Sequence, residues 1–259
     1  MNICNKNSLL QGLIAFFLFV PTSALSEIWW EARNNEVFGR VLTIVVRGEI
    51  ASSDADVVSN AVLAEPNARV RLVVLSSGGG DLRAAMEIGR ALREHKFDAV
   101  VPRGHVCASA CVYLLAAAID KTVRGMVGIH RPYFLSGDPN RIRQEIKNLR
   151  RRSVEYFRDM NIPEQLADDI FSVAPSDMRV LTEHELATYR LNSKDFATKE
   201  ADTARMMKEL DMSRQEYEAF QSDLTYYCEV YRRQPEQMIN CIKEVSRRHG
   251  VPIGHLAPE

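Results

Sequence analysis

Residues 69–95 read "RVRLVVLSSGGGDLRAAMEIGRALREH". As far as Ser77 the run is apolar and β-branched without alternation, which predicts a strand over 69–77 covered on both faces. Gly78, Gly79 and Gly80 interrupt it, and from Asp81 the period changes. Leu82, Ala85, Met86, Gly89 and Leu92 recur at helical spacing, so an amphipathic helix over 81–95 begins directly after the glycines. A buried strand passing through glycine into a helix is the unit of an α/β fold with a mainly parallel sheet and right-handed crossovers.

The flanking sequence repeats the alternation. "RVLTIVVRGEI" (40–50) reads as a strand, and "DADVVSNAVLAE" (54–65) as a helix whose Val57, Val58, Ala61 and Val62 share a face. "FDAVVPRG" (97–104) reads as a short strand, and "KTVRGMVGIHRP" (121–132) as one further strand ending at His130. Beyond Pro132 the chain changes character. A long cationic helix is expected over 138–160 and a shorter one within 162–175. Residues 176–192 read as a strand and then a brief helix, capped by Thr182 with Glu185 three residues on. From Ala197 onward the chain is helical and polar. The expected division is a leader over 1–26, an α/β domain over 27–196 and a helical extension over 197–259, which 259 residues accommodate.

The N-terminus points to export. Lys6 supplies a weak positive start, Leu9 to Val20 an apolar stretch broken at Gln11 and Gly12, and "PTSALS" a small-residue exit. The apolar run is short for a membrane span of ~20 residues, so a cleaved signal is expected, ending after Ala24 or Ser26; an uncleaved anchor is the alternative. Losing the signal removes one cation and takes the formal net charge from −1 to −2, which gives no reason to expect a nucleic-acid partner.

Cys4 leaves with the signal, and Cys107, Cys111, Cys228 and Cys241 remain. Four cysteines in an exported chain suggest two disulfides in one of three connectivities. The sequence-local one, Cys107 with Cys111 and Cys228 with Cys241, is expected. The first bond would close a very short loop, with little entropic gain in the ~0–5 kcal/mol range, and would fix the turn's shape around Ser109. No metal site is expected, since a CxxxC without a second ligand pair and six scattered histidines fit none.

Ser109 sits in "HVCASACVYLLAAAID" (105–120), at the mouth of an apolar, alanine-rich helix. An isolated serine there is ordinarily a cap. A nucleophile also needs a base, a group that orients the base, and an oxyanion site. His130 and Asp177 could supply the first two. Backbone N–H groups of the glycine run could supply the third, although the same run also serves as a plain tight turn. The Lys-Ser/Thr pair of a phosphate loop is missing.

Taken in order, "LSSGGGDLRAAMEI", "CASACVYLLAAA", "VGIHRP" and "SDMRVLTEHELATYRL" resemble the Clp protease proteolytic subunit of the Clp/crotonase superfamily. The likeness is to its exported, single-chain relatives with a CxSAC segment, and it spans roughly 42–192. The resemblance implies the (ββα)-repeat spiral fold and a serine peptidase or acyl-hydrolase with no cofactor. Ser109 is then the nucleophile, His130 the base and Asp177, the aspartate before an "xxL(S/T)xxE" pattern, its orienting group, although this chain carries one extra residue in that stretch. The oxyanion donors would be Gly79 or Gly80 together with Ala110. The resemblance further implies a peptide or protein substrate. Family members form stacked rings, so a homo-oligomer is among the expectations, with Arg150, Arg151 and Arg152 on the stacking helix. An exported chain meets no ATP, so no ATPase partner is expected. Two other functions stand beside this one. A crotonase-type enzyme acting on coenzyme A thioesters is disfavoured outside the cytoplasm, and a non-catalytic peptide-binding or envelope interaction protein is the alternative on the same fold.

Overall fold

The computed structural model describes residues 27–35, 39–134, 137–231 and 234–252; the expected signal segment lies outside them. The 69–95 stretch folds into strand β3 (Val70–Gly80) and helix α2 (Leu82–Glu94). Asp81 is the hinge between them. Its carboxylate accepts from the amides of Arg83 and Ala84, at 2.8 and 2.9 Å, and so caps α2.

The remaining elements of the α/β part are β1 (Glu27–Asn35), β2 (Gly39–Ile50), α1 (Asp54–Ala64), β4 (Asp98–Val101), β5 (Val106–Ala108), α3 (Cys111–Ala117), β6 (Lys121–Val123), β7 (Met126–Ile129), α4 (Pro139–Asp159), α5 (Gln165–Ser172), β8 (Arg179–Val180) and α6 (Glu183–Thr188). The eight strands form a mixed, mainly parallel sheet in the order β1-β2-β3-β5-β7-β8. β1 and β8 join antiparallel at the ends, and the pairings of β2, β3, β5 and β7 are parallel. The α/β class expected from the sequence is therefore present.

The sheet forks along β3. Its first half, Leu72–Val74, pairs with Asp98–Val100 of β4, and β4 pairs onward with β6; Ser77, further along, pairs with Cys107 of β5. This fork corrects the expectation of one strand over 121–132. The chain breaks at Arg124 and Gly125, so that β6 joins β4 while β7 joins β5. Gly125 permits the break because a Cβ there would lie 2.3 Å from the His105 carbonyl oxygen and 2.5 Å from that of Pro102. β1, a polar segment with two tryptophans, is a strand that hydrophobic pattern alone did not single out.

Helix α3 is wholly buried, every residue at most 1 % exposed, and it anchors the core against α2 and α4. Tyr113 stacks on Phe157 at 4.7 Å between centroids, and the Tyr156 hydroxyl donates to the Tyr113 carbonyl at 2.8 Å. Gly89 makes room for that hydroxyl, which would stand 1.8 Å from any Cβ placed there.

The extension consists of α7 (Phe196–Glu209), α8 (Arg214–Asp223), a wide turn over Leu224–Cys228, a tight one over Glu229–Tyr231, and α9 (Pro235–Arg248). It carries a second small core of Phe220, Cys228, Val245 and Val251. Both sequence-local disulfides are formed, Cys107–Cys111 and Cys228–Cys241, and such bonds suit an oxidising compartment. Among the described residues no helix is long and apolar enough to cross a membrane.

Candidate active site

Ser109 lies between the end of β5 and the start of α3 with φ at +55°, in the left-handed region that residues with a Cβ occupy at a cost of about 1–3 kcal/mol. Its amide donates to the Gly128 carbonyl at 2.9 Å, and its carbonyl accepts from the Val112 amide at 3.1 Å. The turn is thus held from β7 on one side and by the first turn of α3 on the other. The Ala110 amide has no hydrogen-bond partner among the described residues, as expected of a first-turn donor.

The glycine run meets this turn directly. Gly79, at φ +112°, lies so close that a Cβ would stand 2.6 Å from that of Ser109 and 3.0 Å from the Ala110 nitrogen. Gly80, at φ +141°, is equally confined, with the Ile50 carbonyl oxygen 2.2 Å from a built Cβ. Both positions therefore need glycine. The Gly79 amide is already engaged, donating to Ser77 Oγ at 3.1 Å, while the Ser77 hydroxyl donates to the Gly48 carbonyl at 2.6 Å.

His130 follows β7 and, with Ser109, Ala110 and Gly78–Gly80, lines a cleft of about 860 Å³. Its Nδ1 lies 2.9 Å from the Arg131 carbonyl oxygen. A carbonyl only accepts, so Nδ1 carries the proton and Nε2 keeps its lone pair in the neutral ring. No hydrogen bond joins Ser109 to His130 among the described residues.

Asp177 stands apart. It is exposed, accepts from the Ser176 hydroxyl at 3.3 Å, and does not line the cleft. β7 and β8 pair through Gly128–Val180 and Ile129–Arg179, Met178 lies against Gly128, and Asp177 precedes this paired segment. The structure brings Ser109, His130 and the glycines together and leaves Asp177 outside.

The cleft's walls carry no signature in the sequence. Leu149 of α4 and Ile170 of α5, both buried, line the cleft together with the exposed rings of Tyr133 and Phe134. Arg83 and Glu145, also in the lining, form an ion pair at 2.9 Å. The helical periods of α4 and α5 identify Leu149 and Ile170 as inward-facing, but nothing in those periods says which cavity they face.

No family model and no curated protein matches the chain. Among solved structures, it is similar to two of the 1510-N membrane-bound stomatin-specific protease. One is a serine-to-alanine variant, with TM-score 0.45, 19 % identity, and coverage of 59 % of this chain and 76 % of that one. The other is a lysine-to-alanine variant in complex with a substrate peptide, with TM-score 0.44, 19 % identity, and coverage of 59 % and 72 %.

Proposed function

We propose that this chain is an exported, Clp-like serine hydrolase that cleaves peptide bonds without an ATPase. The observation carrying the proposal is the left-handed Ser109, wedged between a helix start and the Gly79 backbone in the same cleft as His130. In the proposed reaction Ser109 Oγ attacks the substrate carbonyl carbon while His130 Nε2 takes its proton. The oxyanion is stabilised by the unengaged Ala110 amide together with a glycine amide. Gly80 is the proposed second donor, because the Gly79 amide is held by Ser77. Each such donor is typically worth ~2.7–4 kcal/mol of barrier lowering. His130 then returns the proton to the leaving amine, and water activated by the same ring releases the acyl-enzyme.

Orientation of the ring is assigned to the Arg131 carbonyl, which already holds Nδ1; Asp177 is the second candidate for that role. Export rests on the N-terminal segment and agrees with the two disulfides.

A fluorophosphonate probe tests the proposal. It labels the folded, oxidised wild-type protein and leaves Ser109→Ala and His130→Ala unlabelled. A folded wild type that takes no label removes the hydrolase and leaves a peptide-binding protein on the same fold.

A further inference from the structure

We propose that the Cys107–Cys111 disulfide is a positioning element for the nucleophile: it holds Ser109 in the left-handed conformation and so sets the direction of Oγ and of the Ala110 N–H. The inference rests on Ser109 being the nucleophile of the hydrolase proposed above.

Three observations lead to it. Cys107 is the middle residue of β5 and is in register with Ser77 on one side and Val127 on the other. Cys111 is the first residue of α3, and both cysteines are fully buried. The bond is therefore anchored at each end in the core, with its Cα atoms 5.2 Å apart. Ala108, Ser109 and Ala110 must span that fixed gap, and the middle one does so at φ +55°.

A serine has reason to leave that region, since its Cβ crowds the neighbouring carbonyl there. Gly79 abuts the turn from one side with its amide bonded to Ser77, and the two backbone hydrogen bonds of Ser109, to the Gly128 carbonyl and from the Val112 amide, are the restraints that the bridge reinforces. Without the bridge, the junction between β5 and α3 lengthens and Ser109 moves to negative φ. The hydroxyl and the Ala110 amide then turn together, because a backbone rotation at Ser109 moves both. Leu149, Ile170, Tyr133 and Phe134 come from other elements, so the walls that bind substrate stay in place. The bond consequently acts on the chemical step rather than on binding.

The test compares full-length, oxidised wild type with Cys107→Ala/Cys111→Ala and with Cys228→Ala/Cys241→Ala as control. The readouts are hydrolysis of a p-nitrophenyl ester, the rate of fluorophosphonate labelling, and the crystal structure of the first double variant. The expected result is a fall of at least tenfold in kcat and in labelling rate, KM within twofold of wild type, and Ser109 at negative φ; the control keeps wild-type kinetics. A folded variant with kcat within twofold of wild type, or with Ser109 still near its original φ, overturns the proposal.

Should the alanine pair fail to fold, the same comparison is made by reducing the control variant with dithiothreitol. The dithiol gives two electrons and two protons to the Cys107–Cys111 bond and becomes the cyclic disulfide, adding two titratable thiols to the chain. A wild type inert to both ester and probe defeats the hydrolase itself, while the backbone readout at Ser109 still decides what the bond does.

Discussion

At Asp177 the question is which group orients the His130 ring proposed as the base. A buried carboxylate that fixes a catalytic imidazole is worth about 10⁴ in kcat when replaced by its amide. Asp177 is exposed and bonded to Ser176, whereas His130 Nδ1 already donates to the Arg131 carbonyl. Asp177→Asn is therefore expected to cost less than tenfold in kcat, read on the same ester. A loss approaching 10⁴ would place the carboxylate in a working triad. The candidate was legible in the sequence as an acid before a strand, but its distance from the cleft was not. That distance depends on how the segment before β8 meets β7, about fifty residues away in sequence, which no local pattern records.

Lys121 shows a charge inside the core. It is 3 % exposed, and burial pushes its ammonium down to about 8, with Arg93 pushing the same way and Asp195, Asp120 and Asp98 pulling back. At pH 7 both folded and unfolded chains carry the proton, and the folded one holds it in a poor environment. Between about 8 and the ordinary 10.5 the folded chain loses the proton first. The unfolded state binds more protons there, so this lysine makes stability rise with pH across that window. Buried Tyr113 and Tyr156, whose hydroxyls burial raises, oppose the trend above about pH 10, where the unfolded chain ionises first. Urea titrations are expected to show Lys121→Met more stable than wild type by about 2 kcal/mol at pH 7, with the difference shrinking by pH 10.

At the scale of elements, Asp195 joins three of them. Its carboxylate caps α7 through the Thr198 amide at 3.0 Å, accepts from Arg93 of α2 at 2.7 Å, and accepts from Asn161 after α4 at 3.1 Å. Burial alone would raise this carboxyl, but the bonds from Arg93, the Thr198 amide and Asn161 outweigh it and hold it at about 2. A depressed carboxyl stabilises the fold above its ordinary 3.8, and that contribution is lost as pH falls toward 2. Asp195→Ala leaves Arg93 largely buried and unpaired and removes a cap. A loss of about 3–5 kcal/mol in chemical unfolding at pH 7 is expected. The double variant Arg93→Met/Asp195→Leu should lose less than the single one, because it strands no charge. Local chemistry made other junctions readable: Thr182 and Glu185 form the capping box their spacing announces. Asp195 gave no such notice, since its partner Arg93 is far off in sequence.

At the scale of the whole molecule, two cores of unequal size share one chain. The α/β core surrounds α3, and among the described residues the extension's own core holds four buried apolar side chains, Phe220, Cys228, Val245 and Val251. So few apolar groups do not hold helices together unaided, and the Cys228–Cys241 bond, thirteen residues apart in sequence, staples them. Closing a loop of that order constrains the unfolded chain by about 3 kcal/mol. In Cys228→Ser/Cys241→Ser, amide exchange is expected to quicken by a hundredfold or more across 214–248 while β2, β3 and α3 keep their protection. Uniform acceleration over both parts would show a single cooperative unit instead.

What the sequence by itself determined is what near neighbours encode. The change of period at the glycines, the buried α3, the caps and the pairing of adjacent cysteines all follow from residues a few positions apart, whose contacts the local backbone dictates. What only the tertiary structure decided is which distant segments meet: the fork along β3, the β1 edge, the walls of the cleft, the carbonyl that holds His130 and the exclusion of Asp177. Those outcomes depend on register and packing between segments tens of residues apart, where a shift of one position moves a side chain to another face.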